Sequence, residues 1–312
     1  MVVTDSKEAP VTIKELNNAH AIPGQLEFIK GEGGFPLARI DNGKAFAVVS
    51  VYAGQVLSFQ PTNQMHDLLF LSDAAYYQAG KAIKGGIPIC WPWFGPDPEG
   101  RGRAAHGFVR NRPWTVRATE TLVNGDTRIT LELVDSTDTR DIWPTAFDLS
   151  LEVTVGDGLR VELVTRNTGN QPFTLTQALH SYFKVGEIGQ VQVLGLEDTD
   201  YLDKAGDGSR KSQTGAVRFD QEVDRIYLDV QPELIINDAA LGRRINITST
   251  GSHTAVVWNP WADISASMGD LGDDDYKRFV CVETANAATD TVDVMPGGVY
   301  RLGAFYRIQS LS

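Results

Sequence analysis

From Ala45 onward the chain reads as one short apolar run after another. Ala45–Tyr52 is rich in β-formers, and Gln55–Gln60 and Leu68–Leu71 follow it after glycine and polar breaks. The clearest signal lies between Phe147 and Asn167. Phe147, Leu149, Leu151, Val153 and Val155 alternate with Asp148, Ser150, Glu152 and Thr154. That period of two predicts a strand with one buried and one wet face. Gly156-Asp157-Gly158 then turns the chain, and Leu159, Val161 and Leu163 resume the alternation, which predicts a hairpin. Asn124-Gly125-Asp126 marks a second turn, between strands predicted over Val116–Val123 and Arg128–Val134. Short strands at this spacing, with few helical stretches, predict an all-β fold: a large antiparallel β-sandwich. No period repeats and no low-complexity linker divides the chain, so residues 25–312 are read as one domain. Residues 1–24 are polar and are read as an N-terminal extension, with one short helix expected at Ile13–His20.

One stretch breaks the strand pattern. Lys81–Pro113 holds Gly85, Gly86, Gly95, Gly100, Gly102 and Gly107, together with Pro88, Pro92, Pro96, Pro98 and Pro113. It also carries Trp91, Trp93 and Phe94. A long loop with large aromatic side chains is more often functional than idle. Stacking on a ligand and packing of the loop itself are both open uses for the three aromatics.

Composition narrows the function. The 312 residues include 28 Lys and Arg against 40 Asp and Glu, a net charge of −12. This excess disfavours nucleic acid and anionic membranes as partners. An anionic substrate would need a local cationic pocket. Cys90 and Cys281 sit in apolar runs and are expected to be buried free thiols. No Cys/His spacing resembles a zinc site, and no metal or cofactor is expected. The polar N-terminus has no apolar signal segment, and no apolar stretch approaches the roughly 20 residues needed to span a bilayer. A cytoplasmic protein, and a monomer, is expected.

Two of the five histidines stand in contexts that ask for an explanation. His106 follows the aromatic loop in Ala-Ala-His-Gly-Phe. His180 interrupts the mostly apolar Gln177–Phe183. Glu283 interrupts Phe279–Ala285, whose neighbours are those of a buried strand. A buried carboxylate is costly without a partner or a function. On local grounds, His180 and Glu283 suit either a hydrogen-bonded structural role or acid–base chemistry. Cupin-type metal ligation would want two histidines close in sequence, whereas His106 and His180 are 74 residues apart. No Gly-x-Ser-x-Gly elbow supports a serine nucleophile. A glycosidase would pair Glu283 with a second carboxylate, for which Asp203 and Asp224 are candidates. Lys84-Gly85-Gly86 opens no helix and so is no P-loop. The acidic run Asp270–Asp275 is read as a solvated loop, lacking the terminal Glu of a calcium loop.

Five ordered segments carry a more specific signal: Lys81–Gly95, Ala105–Asn111, Ala178–Phe183, Val257–Pro260 and Phe279–Ala285. Together they resemble the hexose-6-phosphate mutarotases (glucose-6-phosphate 1-epimerases) of the aldose 1-epimerase superfamily. The resemblance implies a galactose-mutarotase-like (supersandwich) β-sandwich. It implies His180 as general acid and Glu283 as general base. His106 and Arg110 fall on sugar- and phosphate-contacting positions, and Asp203 on a substrate-binding one. Lys84 stands where the family usually has Arg. Lys keeps the charge but loses the bidentate fork.

The implied reaction needs only an acid and a base. O1 loses a proton while the ring oxygen O5 gains one, and the open aldehyde rotates about C1–C2 and recloses on its other face. Two alternatives remain at this point: a mutarotase of unphosphorylated aldoses and a non-catalytic carbohydrate-binding sandwich.

Overall fold

A computed structural model of the chain describes residues 11–311. Two eight-stranded sheets dominate it, and every strand pair in them is antiparallel. The first runs in the order Val191–Leu194, Glu233–Asp238, Arg243–Thr250, Val299–Ser310, Leu159–Asn167, Phe147–Val155, Thr127–Val134 and Thr115–Thr121. The second runs Arg210–Ser212, Asp200–Asp203, Val223–Leu228, Thr254–Asn259, Phe279–Asn286, Gln177–Leu179 and Ile89–Cys90. Tyr182–Lys184 also pairs with Phe279–Asn286 in the second sheet. A four-stranded meander between Leu26 and Pro61 flanks them.

The predicted hairpin forms with Phe147 opposite Asn167 and Val155 opposite Leu159. Its alternating Phe147, Leu149, Leu151, Val153 and Val155 are all buried. Burial of such side chains contributes about 1.5–3 kcal/mol each. They share one core cluster with Leu179, Val257, Val280 and Val282 of the second sheet. The core therefore lies between the sheets, and the second sheet has a further face turned away from it.

The predicted N-terminal helix also forms, over Ile13–His20. Thr12 and Glu15 make a reciprocal capping box, with Thr12 Oγ1 accepting from the Glu15 amide at 3.2 Å and Glu15 Oε2 accepting from the Thr12 amide at 2.8 Å. Leu16 enters the core, and the Asn17 side chain bonds both the amide and the carbonyl of Phe28. This part of the segment read as an extension thus packs onto the sheets. Residues 1–10 of that segment lie outside the described residues.

Candidate active site

Pairing on the second sheet builds the site row by row. Asp224 lies opposite Trp258, Trp258 opposite Cys281, and Cys281 opposite Tyr182. One row over, Ile226 lies opposite Val256 and Val256 opposite Glu283. The pairs Leu179–Thr284 and Tyr182–Cys281 then bracket His180 and Glu283, placing those two residues opposite each other. The third row, Leu228, Thr254, Ala285, Ala178 and Cys90, is largely apolar. Because strand side chains alternate, all three rows face the same way, while Val280 and Val282 point into the core.

These rows floor a cavity of about 630 Å³, within the usual range for small-molecule sites. Its polar lining is Lys84, His106, Arg110, His180, Lys204, Asp224 and Glu283, and its aromatic walls are Phe94, Tyr182 and Trp258. A second hollow of about 740 Å³ lies near Ala21–Glu27, Arg39 and Phe46. Its Arg39 and Glu27 are an exposed ion pair, and it holds no histidine.

His180 Nδ1 lies 3.2 Å from Glu283 Oε1. The contact is not aligned as a hydrogen bond, and both Nδ1 and Glu283 Oε2 are buried without a hydrogen-bond partner among the described residues. Nε2 is left as the nitrogen free to meet a substrate. Tyr182 stacks on the imidazole at 4.9 Å, and Trp258 meets it edge-on at 6.0 Å. Burial pushes the Glu283 carboxyl well above its ordinary range. Asp224 adds to that rise, and Arg110 opposes it. Burial pushes His180 well below the ordinary histidine range, assisted by His106, Arg110 and Lys84. Both effects favour the uncharged forms.

The Lys81–Pro113 loop supplies the rest. Gly107 has φ +76°, and a Cβ there would lie 1.8 Å from the Trp91 carbonyl oxygen. This close approach seats His106 on the cavity. The His106 amide donates to the Gly95 carbonyl at 2.7 Å, and its Nδ1 accepts from the Gly95 amide at 3.3 Å. Burial, with Arg110 and Lys84 nearby, brings its pKa down to about 3. A neutral ring whose Nδ1 accepts carries its proton on Nε2, as a donor. Arg110 has no carboxylate partner within 4 Å among the described residues and spends one bond on the Ala105 carbonyl. Lys84 Nζ lies 3.5 Å from Asp270 Oδ1.

The sequence reading placed His106, Arg110, Lys84, His180 and Glu283 together, and all five line the cavity. Asp203 does not. Its neighbours Leu202 and Lys204 do, so alternation turns Asp203 away, and its carboxylate pairs with Lys211 at 2.6 Å. The carboxylate that lines the cavity beside Glu283 is Asp224, whose pKa rises to about 6 through burial, then Glu222, against Lys204. Lys204 was not singled out in the sequence; it enters because its amide donates to the Asp224 carbonyl at 2.7 Å. Of the loop aromatics, Phe94 alone faces the cavity. Trp91 is buried against Trp143 and Phe147 and donates to Thr165 Oγ1 at 3.0 Å, and Trp93 donates to the Ala104 carbonyl.

His180, Cys281 and Glu283 offer ligand atoms within 4.8 Å of one another, a set able to close on a soft divalent ion. Cys281 would have to bind as thiolate, and burial holds its thiol well above the ordinary value.

The sequence profile of the family described as Aldose 1-epimerase matches residues 36–307. The chain belongs to the aldose 1-epimerase family. An Escherichia coli relative, provisionally named a glucose-6-phosphate 1-epimerase, is 39% identical over 250 residues, covering 80% of this chain and 82% of the relative. A crystal structure from Salmonella typhimurium, provisionally named a mutarotase, superimposes with a TM-score of 0.87 at 34% identity, covering 93% of this chain and 96% of that one. A galactose mutarotase-like protein from Clostridium acetobutylicum matches with a TM-score of 0.71 at 16% identity, covering 92% of this chain and 98% of its own. The predicted galactose-mutarotase-like all-β fold is therefore the fold of this aldose 1-epimerase family member.

Proposed function

We propose that the protein interconverts the α and β anomers of a hexose 6-phosphate, with glucose 6-phosphate the leading candidate. The observation that carries this reading is the opposed His180–Glu283 pair on a cavity floor whose polar lining includes Lys84, Arg110 and Lys204, in a chain of net charge −12.

The chemistry balances on one proton held by the pair. With His180 as imidazolium and Glu283 as carboxylate, Glu283 takes the O1 proton while His180 Nε2 gives one to O5. C1–O5 breaks and C1=O1 forms. The pair then holds its proton on Glu283. Rotation about C1–C2 and reclosure on the other face return it to His180. Burial favours the uncharged pair, and the proton crosses at the Nδ1–Oε1 contact, 3.2 Å apart, once the two groups turn into line. Each positioned acid or base typically contributes about 10²–10⁴-fold. A module that only bound carbohydrate would need no such pair.

Around the pair, His106 Nε2–H and Asp224 supply a donor and an acceptor for sugar hydroxyls, and Phe94 and Trp258 present apolar surface to the C–H face. Arg110 and Lys84 hold the phosphate. The two buried free thiols suit a reducing compartment such as the cytoplasm. Anomer-exchange NMR on glucose 6-phosphate, with glucose as control, tests the reading. Faster exchange of the phosphorylated sugar is expected; equal rates on both would leave a mutarotase of unphosphorylated aldoses, and no exchange on either would leave a binding module.

A further inference from the structure

Lys84, the only cavity cation held by a carboxylate among the described residues, meets Asp270 rather than solvent. Its Nζ lies 3.5 Å from Asp270 Oδ1 and 3.8 Å from Met268 Sδ. Both side chains are mostly shielded, at 17% exposure for Lys84 and 23% for Asp270.

The backbones on either side of this contact are pinned together. The Ser72 amide donates to the Lys84 carbonyl at 3.1 Å, and Ser72 Oγ donates to Asp275 Oδ2 at 3.1 Å. Asp275 is buried and accepts from the Gly272 amide at 2.8 Å, and Ser265 Oγ bonds the Gly272 carbonyl at 3.0 Å. Leu271, next to Asp270, is buried as well. The acidic run read from the sequence as a solvated loop is thus fastened at Leu271, Gly272 and Asp275, and Asp270 is presented to the cavity cation from a fixed turn. Rotation of the Asp270 side chain would free Lys84 without breaking any of these hydrogen bonds.

We propose that Asp270 is a specificity residue of this site: an internal carboxylate that occupies Lys84 until a substrate phosphate displaces it. The proposal rests on the hexose-phosphate reading above. A phosphate reaching Lys84 meets the Asp270 charge beside it, and two anions on one compact ammonium repel each other. The phosphorylated sugar must therefore give up part of its attraction to break the pair, whereas an unphosphorylated sugar leaves the pair intact. Asp270 sets the KM for the phosphorylated substrate, and it keeps Lys84 neutralised when no phosphate is present.

The test is the isosteric Asp270→Asn, alone and in a Lys84→Gln background, with thermal melts confirming the fold. Two quantities are read: the Kd for inorganic phosphate, by NMR titration or calorimetry, and the KM and kcat for glucose 6-phosphate. Asp270→Asn is expected to tighten inorganic phosphate and lower KM about 3- to 10-fold, with the effect on KM rather than kcat, and the gain is expected to shrink when Lys84 is Gln, where only the direct repulsion of phosphate by Asp270 is relieved. An unchanged or weaker phosphate Kd overturns the proposal, as does a gain that is undiminished without Lys84. Phosphate binding by neither protein overturns it too. Failure of the hexose-phosphate reading looks different: glucose 6-phosphate is then not preferred over glucose by the wild type, while the phosphate Kd still reports whether Asp270 competes for Lys84.

Discussion

Glu283 faces His180 directly across two paired strands, with Oε1 3.2 Å from Nδ1. Neither group has an aligned hydrogen bond at that contact, and Glu283 Oε2 is buried with no partner among the described residues. A buried carboxyl held this way costs stability, and the proposed proton exchange would explain why it is there.

Glu283→Gln should therefore slow anomer exchange by about 10²–10⁴-fold without unfolding the protein. Its effect on stability has a definite sign. The folded-state pKa of Glu283 is raised above its ordinary value of 4.5, so the wild type loses stability as pH rises from there through the raised value. Gln does not ionise, and the melting temperature of the variant should gain on the wild type as pH increases. Exchange at the wild-type rate would remove Glu283 from the mechanism.

Arg110→Ala should act on the phosphate. Arg110 is unpaired on the cavity among the described residues, and a charge-assisted contact is worth about 1.5–3 kcal/mol, or roughly 10- to 150-fold in binding. KM for glucose 6-phosphate should rise by that factor while the rate on glucose stays nearly unchanged. An equal loss on both sugars would make Arg110 structural.

Asp224→Asn tests the electrostatics of the pair. Asp224 is the like charge that helps to raise Glu283. Removing it should lower the Glu283 pKa and move the alkaline limb of the pH–rate profile to lower pH. An unmoved limb in a folded variant would show that Asp224 contacts only the sugar, through KM.

How much of this the sequence shows depends on whether a strand has a wet face. The Phe147–Asn167 hairpin alternates openly because one face meets water. Phe279–Asn286 is buried on both faces, so no periodicity separates Glu283 and Cys281 from Val280 and Val282. Glu283 and His180 were still visible as polar interruptions of apolar runs. Asp224 was visible only as one of two candidate carboxylates, because the choice against Asp203 rests on strand pairing that sets Asp224 opposite Trp258 and leaves Asp203 with Lys211. Lys204, and the contact of Asp270 with Lys84, leave no local signal. Trp91 looked like a loop aromatic because its core partners Trp143 and Phe147 lie far along the chain, whereas Trp93 packs on Phe108 of the same loop.

Gly107→Ala should damage fold and site together. The added Cβ meets the Trp91 carbonyl oxygen at 1.8 Å, and φ of +76° is strained for alanine. A loss of about 3 kcal/mol is expected in denaturant unfolding, together with weaker substrate binding as His106 shifts. A variant of wild-type stability would show that the loop has room the geometry denies.

The pH–rate profile tests the one-proton pair itself. In the proposed mechanism the active state holds a single proton between His180 and Glu283. Activity should fall on the acid side when His180 takes a second proton. Burial has pulled that step below the ordinary histidine value of 6.5. It should fall on the alkaline side when the pair loses its proton, a step raised above the ordinary carboxyl value of 4.5. Because the groups are coupled, the two apparent values belong to the pair and not to either residue. The phosphate of the substrate also titrates, near pH 6. The profile is therefore measured on glucose as well, where that ionisation is missing and both limbs should persist. His180→Asn keeps a hydrogen-bond donor but cannot transfer a proton, so kcat should drop about 10²–10⁴-fold. An unchanged kcat and profile would pass the acid role to His106, the neighbouring ring at 5.8 Å. Adding EDTA to each measurement should change nothing. Activity lost to the chelator and restored by a divalent ion would place that ion on His180, Cys281 and Glu283 and overturn proton transfer by the free pair.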